Sequence, residues 1–122
     1  MQGFTALEEA ALRDICRMFP AEHELLEEQL ATATVSKREN TGAGFYTYFD
    51  LQPDVQKVSG ERMRSGGWAH VDGFKNPIGF ILWLGDGRAK CLEGFTVDDS
   101  TVDVDFSRLD FRLVEAKSEC DV

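Results

Sequence analysis

Four side chains in the middle of this 122-residue chain have the types and spacing to do chemistry together: Arg38, Glu39, His70 and Glu93. All four fall on segments with strand character. Glu93 interrupts an apolar run between Cys91 and Phe95. A carboxylate on a core-directed face must find a donor or shift its pKa. Arg38, Tyr46, His70 or a backbone N–H are the candidate donors. Paired with His70, Glu93 would form a general acid–base couple. Without that pairing, an internal ion pair or an exposed sheet face accounts for the same residues. Trp68 and Trp83 could line a pocket beside them, anchor an interface, or fill the core.

Other patterns are poorer. Gly42-Ala43-Gly44 has the look of a phosphate-cradling loop. A P-loop, however, requires Gly-Lys-Ser/Thr before a helix, and a dinucleotide loop requires a third glycine and a helix. Here an aromatic strand follows, so a turn or bulge where side chains would clash is the better reading. Asp98, Asp99, Asp103 and Asp105 lack the spacing, central glycine and terminal Glu of a calcium loop. His23 has no second ligand at i+3 or i+4 and reads as a surface residue. No Gly-x-Ser-x-Gly elbow occurs. Cys91 lies in an apolar strand, not in the electropositive setting that a reactive thiolate needs. No catalytic residue, metal site or cofactor is expected from these patterns.

The elements that would position these residues are legible to different degrees. Gly79 to Phe95 holds two apolar, β-prone segments around Asp86-Gly87. That dipeptide supplies the positive φ angles of a two-residue hairpin turn. Toward the N-terminus, Thr5 and Glu8 match a capping box. Leu7, Ala11, Ile15 and Met18 then recur at helical spacing, with Phe4 and Leu12 beside them. Pro20 ends this helix, and Pro20-Ala21 can open a second. Leu26, Leu30 and Ala33 stripe that second helix, with Glu22, Glu24, Glu27 and Glu28 turned outward. From Thr34 the period changes to two. Thr34–Glu39 and Phe45–Leu51 read as strands, the latter with Phe45, Thr47, Phe49 and Leu51 on one face and Tyr46 and Tyr48 on the other. Residues 54–66 read as a loop with one poor strand near Val55–Val58. Trp68, His70 and Asp72 alternate with Ala69 and Val71. Val102, Val104 and Phe106 alternate with Asp103 and Asp105, which suits a half-buried strand or an extended edge; Phe111, Leu113 and Val114 suggest the last strand, and the tail from Lys117 is expected to fray.

Composition bounds the class. The length is that of a single domain, 1–122, able to bury one core. No apolar run approaches the ~20 residues that span a bilayer. No secretory signal precedes the first helix, and three widely spaced cysteines fit reduced thiols in a cytoplasmic protein. The net charge of −9 is uneven: −5 over residues 1–36, +2 over 37–92 and −6 over 93–122. This balance argues against nucleic acid, which needs clustered Lys and Arg. It permits a basic protein partner steered by Glu24, Glu27, Asp98 and Asp99.

Arg38-Glu39-Asn40-Thr41-Gly42-Ala43-Gly44-Phe45, then Gly79-Phe80-Ile81-Leu82, Asp86-Gly87 and Leu92-Glu93-Gly94-Phe95-Thr96, resembles a widespread family of small uncharacterised bacterial proteins. Its members share an R-x-x-T-G-x-G-(F/V) and an L-E-G-(Y/F)-T segment. The likeness covers nearly the whole chain. It carries no activity and therefore implies no catalytic residue. Members place an aromatic residue and a proline after the second segment, where this chain has Val97-Asp98-Asp99-Ser100-Thr101. Size, acidity and plan are also similar to those of immunity proteins that neutralise bacterial contact-delivered toxins.

The expectation is an α+β domain, with two N-terminal helices packed on a twisted antiparallel sheet of five or six strands. The expected function is non-catalytic protein binding, as in an immunity protein neutralising a toxin domain. The alternative is a small-molecule binder or enzyme built on a His70/Glu93 pocket. The candidate binding residues are Arg38, Glu39, Trp68, His70, Trp83 and Glu93. A flat acidic surface with exposed aromatics favours the first reading, and convergence of Trp68, His70, Trp83 and Glu93 in one concavity favours the second.

Overall fold

The computed structural model describes residues 1–114; the tail from Lys117 and Cys120 lie outside the described residues. Two helices, α1 (Ala6–Met18) and α2 (His23–Ala31), precede β1 (Thr34–Asn40), β2 (Gly44–Asp50), β3 (Met63–Val71), β4 (Ile78–Gly85), β5 (Arg88–Phe95) and β6 (Phe111–Leu113). The strands form one six-stranded sheet in the order β1-β2-β5-β4-β3-β6. Every neighbouring pair is antiparallel. Both helices pack on one face, as the α+β expectation requires. No helix among the described residues is long and apolar enough to cross a membrane.

The capping box forms. The Glu8 N–H donates to Thr5 Oγ1 at 3.1 Å, and the Thr5 N–H donates to Glu8 Oε1 at 2.7 Å. Leu7, Ala11, Leu12 and Ile15 of α1 meet Leu26 and Leu30 of α2 in the core. Phe45, Phe49, Ile78, Phe80, Leu82, Leu84 and Leu92 supply the sheet's half. Met18, at the end of the expected stripe, is instead 45% exposed. Pro20 and Ala21 lie in a turn, and α2 starts at His23.

The hairpin closes at Asp86 (φ 51°) and Gly87 (φ 74°), two successive positive φ values that match a type I′ turn. A β-carbon on Gly87 would also come within 2.6 Å of the Val58 carbonyl oxygen.

Two strand expectations fail. Residues 102–106 form no strand: Val102 is 70% exposed, the Val104 N–H turns back to the Thr101 carbonyl, and Phe106 opens a 3-10 turn, Phe106–Arg108. The cause is Thr101, whose backbone and side chain are tied to the loop between β1 and β2. No strand forms at Val55–Val58 either; the Val58 N–H caps the hairpin by donating to the Gly87 carbonyl. β3 begins earlier than expected, at Met63.

Candidate functional site

The face of the sheet opposite the helices holds five of the six expected binding residues, Glu39, Trp68, His70, Trp83 and Glu93, and one irregularity puts Glu93 among them. A two-residue turn at Asp86-Gly87 would set Trp83 opposite Lys90 and Glu93 opposite Phe80, on the core side. Instead Leu84 pairs with Ala89 while Trp83 pairs with Cys91. This β-bulge inserts one residue and reverses the facing of everything after it. Leu92 enters the core, and Cys91, Glu93 and Phe95 turn to the open face. The core-directed placement expected for Glu93 is therefore corrected, although it does share a face with Cys91 and Phe95.

Three rows of side chains cross this face. One runs Glu39, Tyr46, Glu93, Ile81, Ser65; the next runs Lys37, Tyr48, Cys91, Trp83, Met63. The third brings Phe95 and Trp68 together over Gly79, their rings 5.3 Å apart and edge-on. Neither helix lies on these rows, and the 3-10 turn packs through Phe106 on Phe45, on the covered face. Tyr46, Tyr48, Ile81, Trp83, Glu93 and Phe95 are half-buried, and Trp68 is 39% exposed.

Glu93 is held by its neighbour across the hairpin: the Trp83 indole N–H donates to Glu93 Oε1 at 2.9 Å. The negative charge of Glu93 raises the pKa of the Tyr46 phenol above its ordinary value, with burial adding to it. Burial, then the charge of Glu93, pushes the Cys91 thiol up to about 11, so at neutral pH it is a protonated, uncharged group. Tyr46 and Tyr48 stack at 6.0 Å, and Lys37 Nζ lies 5.6 Å from the Tyr48 ring centre. Beside them Tyr48, Trp83 and Cys91 border a groove of about 340 Å³ whose rim carries Arg62 and Lys90.

The structure separates the remaining expected residues. His70 is exposed near the far edge, opposite Arg112 on β6. Ala69 pairs with Ile78, which places His70 roughly four residues, or ~13 Å along the strands, from the level of Glu93 and two strands across. An acid–base pair needs hydrogen-bond reach, and these two lack it. Arg38 points to the opposite face from Glu39. It donates from Nε to Glu8 Oε2 at 2.9 Å and from Nη2 to Glu8 Oε1 at 2.7 Å. The Thr47 hydroxyl donates to the same carboxylate. Burial pushes the Glu8 carboxyl up; the bonds from Arg38, Thr47 and the Thr5 backbone outweigh it and hold the group below its usual range.

Glu24 and Glu27 are exposed on α2, which docks at the Asp86-Gly87 end of β5 through Gln29. Asp98 and Asp99 sit beyond the other end of β5. Asp98 is exposed, whereas the Asp99 carboxylate accepts the backbone N–H groups of Lys75 and Asn76 at 3.2 and 3.0 Å. The four do not form one surface. Nor does the Gly42-Ala43-Gly44 loop form an anion cradle. Thr101, fully buried, accepts the Gly44 N–H and donates its own N–H to the Gly42 carbonyl, while Asn40 Nδ2 donates to the Thr101 carbonyl. A β-carbon on Gly44 would overlap the Gly94 carbonyl.

Sequence reasoning missed four buried polar residues: Glu8 as an ion-pair partner, Gln29, Arg64 and Thr101. Arg64 is clamped by Glu22, which was expected to face outward, and donates to the carbonyls of Ser59, Glu61 and Met63. Only Gln29 carried a signal, as an uncharged polar residue between Leu26 and Leu30. Among the described residues no group of three His, Cys, Asp or Glu side chains is placed to hold a metal ion. No protein-family model, no curated protein and no solved structure matches this chain.

Proposed function

We propose that this chain is a non-catalytic protein-binding module that holds its partner on the open face of the sheet. The observation that carries this reading is the presence of five aromatic rings, Tyr46, Tyr48, Trp68, Trp83 and Phe95, on a sheet face that neither helix covers. Aromatic side chains are enriched at interfaces because they bury large area at little conformational cost, and a contiguous exposed apolar patch marks a contact surface. Trp83 lies near the centre and is oriented in advance by Glu93, which lowers the ordering cost of binding. His70 and Glu93 lie two strands apart and do not share a site, which favours a macromolecular partner over a reactant.

In this reading the partner is a toxin domain and the module an immunity protein of the cytoplasm, as its similarity in size, acidity and plan to such proteins implies. The acid-rich helix layer, with Glu24 and Glu27, and Asp98 on the loop beyond β5 favour a partner with basic surface outside the contact, since complementary fields steer association. The test is affinity capture from the source cell with wild type, Trp83→Ala and Tyr48→Ala in parallel. It is followed by titration calorimetry of the captured protein against each. One protein held by wild type and bound at least tenfold more weakly by both folded variants supports the reading. Equal binding by wild type and variants, or binding lost instead on replacing exposed acids of α2, overturns it.

A further inference from the structure

The groove beside Trp83 differs in charge from the rest of the molecule. Its residues include two cations, Arg62 and Lys90, and no carboxylate, in a chain of net charge −9. Among the described residues neither cation lies within salt-bridge distance of an acid. The walls are aromatic: Tyr48 and Trp83, with Tyr46 stacked behind Tyr48. Leu84 and the Cys91 thiol, 3% exposed and uncharged at neutral pH, complete the lining. The Trp83 ring is pinned by its bond to Glu93, so one wall is already in place.

These features call for an occupant with a flat apolar body and one negative group. A planar ring has faces to set against Tyr48 and Trp83, where offset or edge-on contact is favourable. An anionic substituent would take charge-assisted bonds from the Arg62 fork and the Lys90 ammonium, with the tyrosine hydroxyls as further donors. The volume, about 340 Å³, sits at the lower end of small-molecule sites and suits one or two fused rings.

We infer that this groove binds a small aromatic anion, a ring or fused ring pair carrying a carboxylate or a phosphate. This goes beyond protein docking and does not depend on it: the ligand reaches the groove with no partner present.

The test is a set of NMR titrations of the full chain, following backbone amides and the Trp83 indole N–H. The probes are 2-naphthoate, its neutral isostere 2-naphthamide, 2-naphthylmethylamine, and adenosine monophosphate. Binding of 2-naphthoate should shift the Trp83 indole and the amides of Tyr48 and Lys90. The amide and the amine should bind at least tenfold more weakly. Arg62→Gln/Lys90→Gln should lose at least tenfold in affinity while keeping the wild-type melting temperature. Tighter binding of the monophosphate than of naphthoate assigns the anion as phosphate, and the reverse assigns carboxylate. Equal binding of naphthoate and naphthamide, undiminished binding by the double variant, or no shift at Trp83 with millimolar probe each overturns the inference. None of these outcomes bears on partner capture, which is read separately.

Discussion

The two faces of this sheet treat polar side chains in opposite ways. On the covered face the buried Glu8 and Gln29 are each closed by several partners. Glu8 is met by Arg38, Thr47 and the Thr5 N–H. Gln29 donates to the Gln56 and Gly87 carbonyls and accepts the Ala89 N–H. On the open face Glu93 has one side-chain donor, and Arg62 and Lys90 stand beside aromatic rings without an acid. Closed networks fix helices and loops to the sheet, because an unmet buried polar group costs more than its bond contributes. An open, aromatic array leaves its groups available to something else. The difference ties stability to the covered face and leaves the open face free for the binding proposed for it.

The largest effect should come from breaking closure. Gln29→Ala removes three hydrogen bonds from a fully buried side chain and strips the Gln56 carbonyl and the Ala89 N–H of their Gln29 partner, while the Gly87 carbonyl keeps the Val58 N–H. We expect a loss of about 4 kcal/mol, read by denaturant unfolding. Gly87→Val should cost about 3 kcal/mol, since a β-branched residue opposes φ 74° and its β-carbon would press on the Val58 carbonyl. An unchanged melt would rule out the turn.

Glu8→Gln should cost about 2 kcal/mol, less than for a wholly buried pair because the Arg38 side chain remains 42% exposed and can be solvated. It also carries a pH signature. The folded carboxyl lies below its ordinary value of 4.5, so its contribution is complete above that pH and is lost as pH falls through the depressed folded value. Wild-type stability should therefore fall more steeply below pH 4.5 than that of Glu8→Gln. Parallel slopes would place Glu8 outside the closed network. The smallest effect on stability belongs to the open face: Trp83→Ala should cost about 1 kcal/mol, because the ring is half exposed and water can replace the indole donor to Glu93.

What was legible follows the range of the interactions. The Thr5–Glu8 cap, the Asp86-Gly87 turn and the alternation of Phe45, Thr47 and Phe49 with Tyr46 and Tyr48 are all local, and all appear as read. The bulge at Ala89–Lys90 has no local mark, yet it decides which way Glu93 faces. Arg38 and Glu39 could have been assigned to opposite faces by the two-residue period, but the partner of Arg38 lies 30 residues away on α1. The alternation of Val102, Val104 and Phe106 was overridden by the ties of Thr101 to Gly42 and Gly44. His70 and Glu93 were linked by chemistry alone, and strand order separates them.

The most direct test sets Trp83→Ala beside Gln29→Ala, measuring melting temperature and partner retention in one preparation. The account predicts that Trp83→Ala melts within about 4 °C of wild type and releases the partner, whereas Gln29→Ala melts far lower and still holds the partner at temperatures where it is folded. A Trp83→Ala chain that unfolds as readily as Gln29→Ala, or that keeps its partner, would contradict the division of labour between the two faces.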